Sequence, residues 1–392
     1  MTRSVSLTAY GVLSVAHVAG MIDMVALPLW VGVLIKHFGF APPQAGGVVT
    51  VFLFSVVVAS SLMAPRFALL PHRLCVAVDY LAAAACFFAV SRMPVDNAGF
   101  LMMAALHALA GFSVGCALSV THGVIGRTPN PHRLFGIVNT ALGVVGVLTF
   151  AGLPALIDHV GAQALFLYFA AIMAVAGLAC AVWFPETRES PAKAAAPTSL
   201  ARVPAPAWLI IFVIVCLTFN QAMIFSFLQQ LGVAHGFSES SVDGVLIALG
   251  FVNLFPGAIA AVLQKRLSPI VVGFAGPIAQ AILALTLSFT TTFAPFAVAG
   301  SIFVSVVIFT HVFLFGLLSR VDTSGRSIAG TPAMMMIGSC TGPAAGGLIV
   351  STLGYHGLGL MAAGVSAAAL ILLTLLRLQL NARPVTLAPV GV

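Results

Sequence analysis

Charge is what this sequence has least of: Asp, Glu, Lys and Arg together make up 6% of its 392 residues, and only nine residues are acidic. A soluble domain carries charge on about a quarter of its residues. A water-facing surface cannot be built from so little, and a soluble globular protein is excluded. Paired cysteines are missing too. Cys75, Cys86, Cys116, Cys180, Cys216 and Cys340 all fall in apolar runs with no CxxC pair, so they read as small packing residues rather than a disulfide framework. There is no GxxxxGK[ST] phosphate loop, and the polar loops are too short for an ATPase domain. HExxH is absent as well, which argues against an intramembrane metalloprotease. No enzyme activity, cofactor or resident metal is expected, and any work the protein does must draw on a gradient or on the substrate itself.

What the sequence has in abundance is hydrophobic residues, 61% of the chain, in runs of 20 or more. Each run is long enough to cross a hydrocarbon core roughly 30 Å thick. The runs predict spans near 6–35, 43–64, 74–91, 98–126, 134–157 and 161–184, then near 207–233, 240–264, 270–290, 294–319, 328–352 and 356–378. Each should be helical, because backbone amides in lipid need partners within their own segment and no period-2 alternation is present. The fold class expected is all-α, a polytopic membrane protein. The first run is too long for a signal-peptide core and lacks a small-residue cleavage site, so it is expected to stay as the first span. The net charge of +7 does not point to nucleic acid, because the basic residues sit in short loops between apolar runs.

Those basic residues report orientation. With a cytoplasmic N-terminus, Arg3, Arg66, Arg73, Arg127, Arg133, Arg188, Lys193, Arg202, Lys265, Arg266, Arg320, Arg326, Arg377 and Arg383 lie inside, and only Lys36 and Arg92 lie outside. The positive-inside rule then places both termini in the cytoplasm and the protein in the inner membrane. The polar stretch 185–206, rich in Ala, Pro and Ser, reads as a cytoplasmic linker. It separates an N-terminal six-helix bundle (1–184) from a C-terminal one (207–380), followed by a cytoplasmic tail (381–392). The halves echo each other. Arg133 precedes span five and Gly161 opens span six, and Arg326 and Gly354 repeat that spacing in the second half, as in the internal repeats of secondary transporters.

Several local patterns resemble the major facilitator superfamily. Pro185-Glu186-Thr187-Arg188 after span six is similar to that family's PETR-type ending. Asp23 through Ala26-Leu27-Pro28 resembles the acidic, ALP-containing first helix of its drug-proton antiporters. His107 to Gly111 resembles its RxxxG pattern with His in place of Arg, and Gly338 to Gly347 resembles its GxxxGPxxGG motif, here in span eleven rather than span five. The loop after span two departs from the family's GxLxDRxGRR, with Pro65 where Asp is usual. The resemblance implies twelve transmembrane helices in two pseudo-symmetric bundles, with helices one, four, seven and ten lining a central cavity.

An ionisable side chain at bilayer depth costs several kcal/mol unless it faces a cavity or a partner, which makes such residues functional candidates. Asp23, in span one, is the clearest. Burial disfavours its charged form, so one carboxyl could alternate between proton and substrate. His107 in span four falls in the same depth band and is expected to be a second titrating or substrate-binding group. The cavity candidates are Asp23, His107, Asn220, Gln221, His311 and His17, although His17 lies about 120° around helix one from Asp23 at 100° per residue. Asn220 and Gln221 cannot both point inward. Asp79 lies near Arg66, Arg73 and Arg127, so an ion-paired gate is expected there. Gly111 and Gly115 allow close approach to helix four, and Gly342, Pro343, Gly346 and Gly347 allow bending and tight packing of helix eleven.

The function expected is proton-coupled export of a small organic solute by alternating access. Uptake of a metabolite or siderophore, and transition-metal transport, are the alternatives. The expected partners are that solute, protons and membrane lipid, and the expected state is a monomer.

Overall fold

The computed structural model describes residues 7–95, 99–185, 203–322 and 331–382. No strand occurs among the described residues. In chain order the helices are α1 (Leu7–Val25), α2 (Leu27–Lys36), α3 (Pro42–Met63), α4 (His72–Ser91), α5 (Phe100–Gly126), α6 (Pro131–Val160), α7 (Gln163–Trp183), α8 (Ala205–Ser226), α9 (Leu228–Ala234), α10 (Glu239–Val252), α11 (Pro256–Leu263), α12 (Pro269–Phe289), α13 (Phe293–Val321), α14 (Thr331–Leu353) and α15 (His356–Ala382). They make twelve stretches long and apolar enough to cross a membrane. The chain is therefore a multi-pass membrane protein. Most of the expected linker, Arg326 and most of the expected tail lie outside the described residues.

Three spans are interrupted rather than continuous. The first divides into α1 and α2 around Ala26, where Pro28, the second residue of α2, has no N–H to give to the carbonyl of Met24. The eighth divides into α10 and α11, and Pro256 opens the latter for the same reason. The seventh breaks at Phe227, between α8 and α9, with no proline or glycine beside it. Its ring is fully buried against Gly346 of α14. Tertiary packing holds that break.

In the N-terminal bundle α1 packs on α5, α6 and α7, α3 on α5, and α4 on α5 and α7. In the C-terminal bundle α8 packs on α14 and α15, and α12 on α13 and α15. The bundles meet through α3 with α14, α6 with α10, and α2 with α8 and α9. Lipid offers no hydrophobic driving force between helices, so close approach matters most. A Cβ on Gly111 or Gly115 of α5 would collide with the Phe52 or Val56 backbone of α3.

The internal repeat is visible in the backbone. Gly39, after α2, has φ 64°, and Gly236, after α9, has φ 83°. Gly161 and Gly354, after α6 and α14, have φ 101° and 69°. Glycine tolerates positive φ because it lacks a Cβ. A positive-φ glycine therefore recurs at the same place in each half.

Candidate functional site

Asp23 is 2% exposed, and its Oδ1 has no hydrogen-bond partner. It shares a stripe of α1 with Ala16 and Gly20, at the four- and three-residue steps that bring side chains onto one helix face. That stripe is turned to α4 and α5. The Tyr80 hydroxyl of α4 donates to the Ala16 carbonyl at 2.6 Å, and a Cβ on Gly20 would lie 2.7 Å from both that hydroxyl and Leu118 of α5. Asp23 is thus lodged within the N-terminal bundle beside Tyr80, three residues before the break at Ala26, which corrects the expectation that it lines a cavity. It has no cationic partner; Lys36 to Glu239 is the ion pair among the described residues.

His17 faces a different way, as its angle around the helix requires. Its Nδ1 lies 3.0 Å from Nε2 of His122 on α5, the two imidazoles sharing a proton. Phe135 of α6 packs its ring against His122 in a T-shaped contact at 5.5 Å. His17 Nε2 is buried without a partner. The His17–His122 pair was not foreseen from the sequence, although both depths could have suggested it.

His107 does not join Asp23. Its ring stacks on Trp30 at 5.3 Å and is met by Phe87 and Phe166 at 5.6 and 5.7 Å, with Phe52 and Phe169 completing the cluster around Trp30. Nδ1 donates to the Met103 carbonyl at 2.7 Å, while Nε2 has no partner. These surroundings are those of a packing residue. They correct the expectation that His107 lines a cavity.

Asn220 is corrected in the same way. Its Nδ2 points to Oε1 of Gln280 at 3.2 Å, the Ala362 carbonyl at 3.0 Å and Oγ of Ser366 at 3.1 Å, tying α8 to α12 and α15 inside the C-terminal bundle. Gln280 also donates to the Leu217 carbonyl at 3.0 Å. Gln280 and Ser366 were missed in the sequence, although a glutamine in mid-span was the available signal. Gln221, one residue on and partly exposed, is the amide of the two turned outward from the core. His311 on α13 is 4% exposed, stacks on Phe315 at 5.7 Å and leaves Nε2 unpartnered.

The expected ion pairs of Asp79 do not form. Asp79 lies two turns into α4 and accepts from the Cys75 thiol at 3.2 Å. Arg66 donates to the Leu62 carbonyl at 2.6 Å, Arg73 to that of Phe184 at 3.0 Å and Arg127 to that of Gly123 at 2.9 Å, with the Arg127 guanidinium over the Phe67 ring. Arginines at helix ends satisfy exposed carbonyls, and the acid, half-buried between spans, is held by a thiol instead.

A sequence profile of the Major Facilitator Superfamily matches residues 12–321. The chain belongs to this superfamily. Among solved structures, one of a point mutant of the nucleoside transporter NupG is similar, with a TM-score of 0.72 at 11% sequence identity, covering 95% of this chain and 100% of that one. No curated protein matches in sequence. Membership in the superfamily gives the glycines of α14 a context. Gly338, Gly342 and Gly346 recur every four residues and face the seventh span, at Thr218 and Met223 of α8 and at Phe227 in the break after it. Gly347 and Pro343 point the other way, to α3. One motif thus serves two interfaces, one within a bundle and one between bundles.

Proposed function

We propose that this chain is a secondary active transporter in the inner membrane, both termini cytoplasmic, coupling export of a small organic solute to proton entry. The observation that carries this reading is Asp23, a carboxyl buried in the N-terminal bundle with one oxygen unpartnered and no cation beside it. An ionised carboxylate there is expensive, whereas a protonated one is a neutral group that needs a single acceptor. Proton occupancy therefore changes the relative free energy of conformations that wet or bury residue 23. A ligand shifts a conformational equilibrium by its difference in affinity for the two states. The break at Ala26 supplies the place where α1 can bend to admit water. Broken helices are a recurring device of secondary transporters, whose halves rock about a midplane site.

Neutral, zwitterionic and cationic solutes suit a core without lysine or arginine. Uptake by proton symport is the second reading, and likeness to a nucleoside transporter adds nucleosides to the first solute panel. Transition-metal transport has less support, because no three His, Cys, Asp or Glu side chains gather into a metal shell among the described residues.

Solutes that raise the thermal stability of the purified protein would be carried into proteoliposome flux under an imposed pH gradient. Gradient-driven accumulation is expected in the parent and lost in Asp23→Asn, which should still exchange solute for solute. Full gradient-driven accumulation by Asp23→Asn would refute the coupling role. The sign of accumulation separates export from uptake.

A further inference from the structure

At one end of the molecule the two bundles are closed against each other. Lys36, the last residue of α2, reaches both carboxylate oxygens of Glu239, the first residue of α10, at 2.8 and 2.6 Å. Beside this pair Gln229 and Gln230 of α9 cover Gly32 of α2, so closely that a Cβ on Gly32 would lie 2.5 Å from Gln229 Oε1. Gln229 also donates to Oδ1 of Asp243 at 3.1 Å. Next to them Gly46 of α3 lies under the Pro343 carbonyl of α14, and Gly347 of α14 lies under that of Pro42. A cavity of 290 Å³ remains between the bundles, with Lys36, His37, Asp158, Glu239 and Asp243 in its wall.

We propose that the Lys36–Glu239 pair is a charge latch that favours the state closed at this end, and that the latch breaks whenever the end opens. This rests on the alternating-access reading above. The pair joins the two bundles, so rigid rocking of one against the other must separate it, while contacts inside a bundle persist. Lys36 is the single Lys or Arg on the cavity wall, facing three carboxylates, so no other Lys or Arg there can take its place against Glu239. The side chains are 47% and 49% exposed. Exposed pairs of this kind shift an equilibrium by up to about five-fold, not by orders of magnitude. A latch this weak sets a resting preference without arresting the cycle.

The test uses the full chain in proteoliposomes, with Ile157→Cys on the cavity wall as reporter and a membrane-impermeant maleimide added on the Lys36 side. The parent without that cysteine measures background from the six native thiols. Lys36→Glu and Glu239→Lys should each speed labelling at 157 by about two- to five-fold. The double exchange should return it to the parent rate. Unchanged labelling in both single variants, or a double exchange that fails to restore the rate, would overturn the latch. Glu239→Gln removes the pair without adding charge, so it decides the matter if a reversal does not fold. Labelling that follows the latch without any solute flux would sink the transport reading alone. Flux with unresponsive labelling would sink the latch alone.

Discussion

Asp23 and Asn220 occupy the same place in the two halves of the chain: each stands sixteen residues before a glycine of positive φ, Gly39 or Gly236. The helices that follow keep this register, Pro42 with Glu239 and His72 with Pro269, each pair 197 positions apart. In the C-terminal half the position is tied down through its nitrogen, with Asn220 Nδ2 fastened to α12 and α15 while Oδ1 stays unpartnered. The N-terminal half has a carboxyl there, with Oδ1 unpartnered and, among the described residues, no side-chain tie to another helix. The repeat thus carries a fixed tie on one side and an unsatisfied, proton-accepting group on the other, at matched depth.

This asymmetry predicts opposite phenotypes. Asn220→Ala removes a buried donor and leaves Gln280 Oε1 without it, a loss of about 1–3 kcal/mol for an unsatisfied buried group. Thermal unfolding in detergent should show the lower stability, while the ratio of protons to solute moved stays at the parent value. Asp23→Asn should fold as well as the parent and lose the coupling. A coupling defect in Asn220→Ala at unchanged stability would contradict the assignment.

The sequence made the spans readable because lipid leaves the backbone one option, so length and hydropathy alone place them. Depth was equally legible, since residue count along a helix measures it. Azimuth was not. His107 and Asp23 share a depth band, yet one is enclosed by Trp30, Phe87 and Phe166 and the other lies on the stripe of α1 that meets Tyr80. Pro28 and Pro256 announce their breaks in the sequence, whereas the break at Phe227 depends on Gly346 more than a hundred residues away. Asp79, expected in an ion-paired gate, lies two turns inside α4 because the helix begins at His72, before the apolar run.

For His107, the aromatic cage favours shape over titration. His107→Phe should keep pH-gradient-driven flux within about two-fold of the parent, because a ring of similar size fills the same space. His107→Ala should lose about 3 kcal/mol or more to the cavity it leaves, in line with large aromatic truncations. Loss of coupling in a stable His107→Phe protein would instead restore histidine 107 as a proton carrier.

The His17–His122 pair predicts non-additive stability. Either imidazole alone leaves its partner with a buried, unpaired nitrogen, so His17→Ala and His122→Ala should each destabilise the protein. The double variant should be less damaging than the sum, with a coupling of about 1 kcal/mol in a thermal double-mutant cycle. Strict additivity would mean that the 3.0 Å contact does not hold α1 to α5.

Two adjacent glycines in α14 separate folding from gating. A side chain on Gly346 would push into Phe227, at the break between α8 and α9, and so disturb the interior of the C-terminal bundle. One on Gly347 would collide with the Pro42 carbonyl of α3, across the junction between bundles. Backbone cannot yield as a flexible side chain can, so Gly347→Val must either hold α3 and α14 apart at this end or bend both. Gly346→Val is therefore expected to lower expression and unfolding temperature. Gly347→Val should keep a near-parent unfolding temperature and speed impermeant-thiol labelling at Ile157→Cys from the Lys36 side. It should also slow solute flux by about ten-fold or more, because the state closed at this end becomes hard to reach; ten-fold corresponds to about 1.4 kcal/mol in that equilibrium. If instead Gly347→Val alone unfolds the protein, the α3–α14 contact is structural glue common to all states, and the bundles do not part along it.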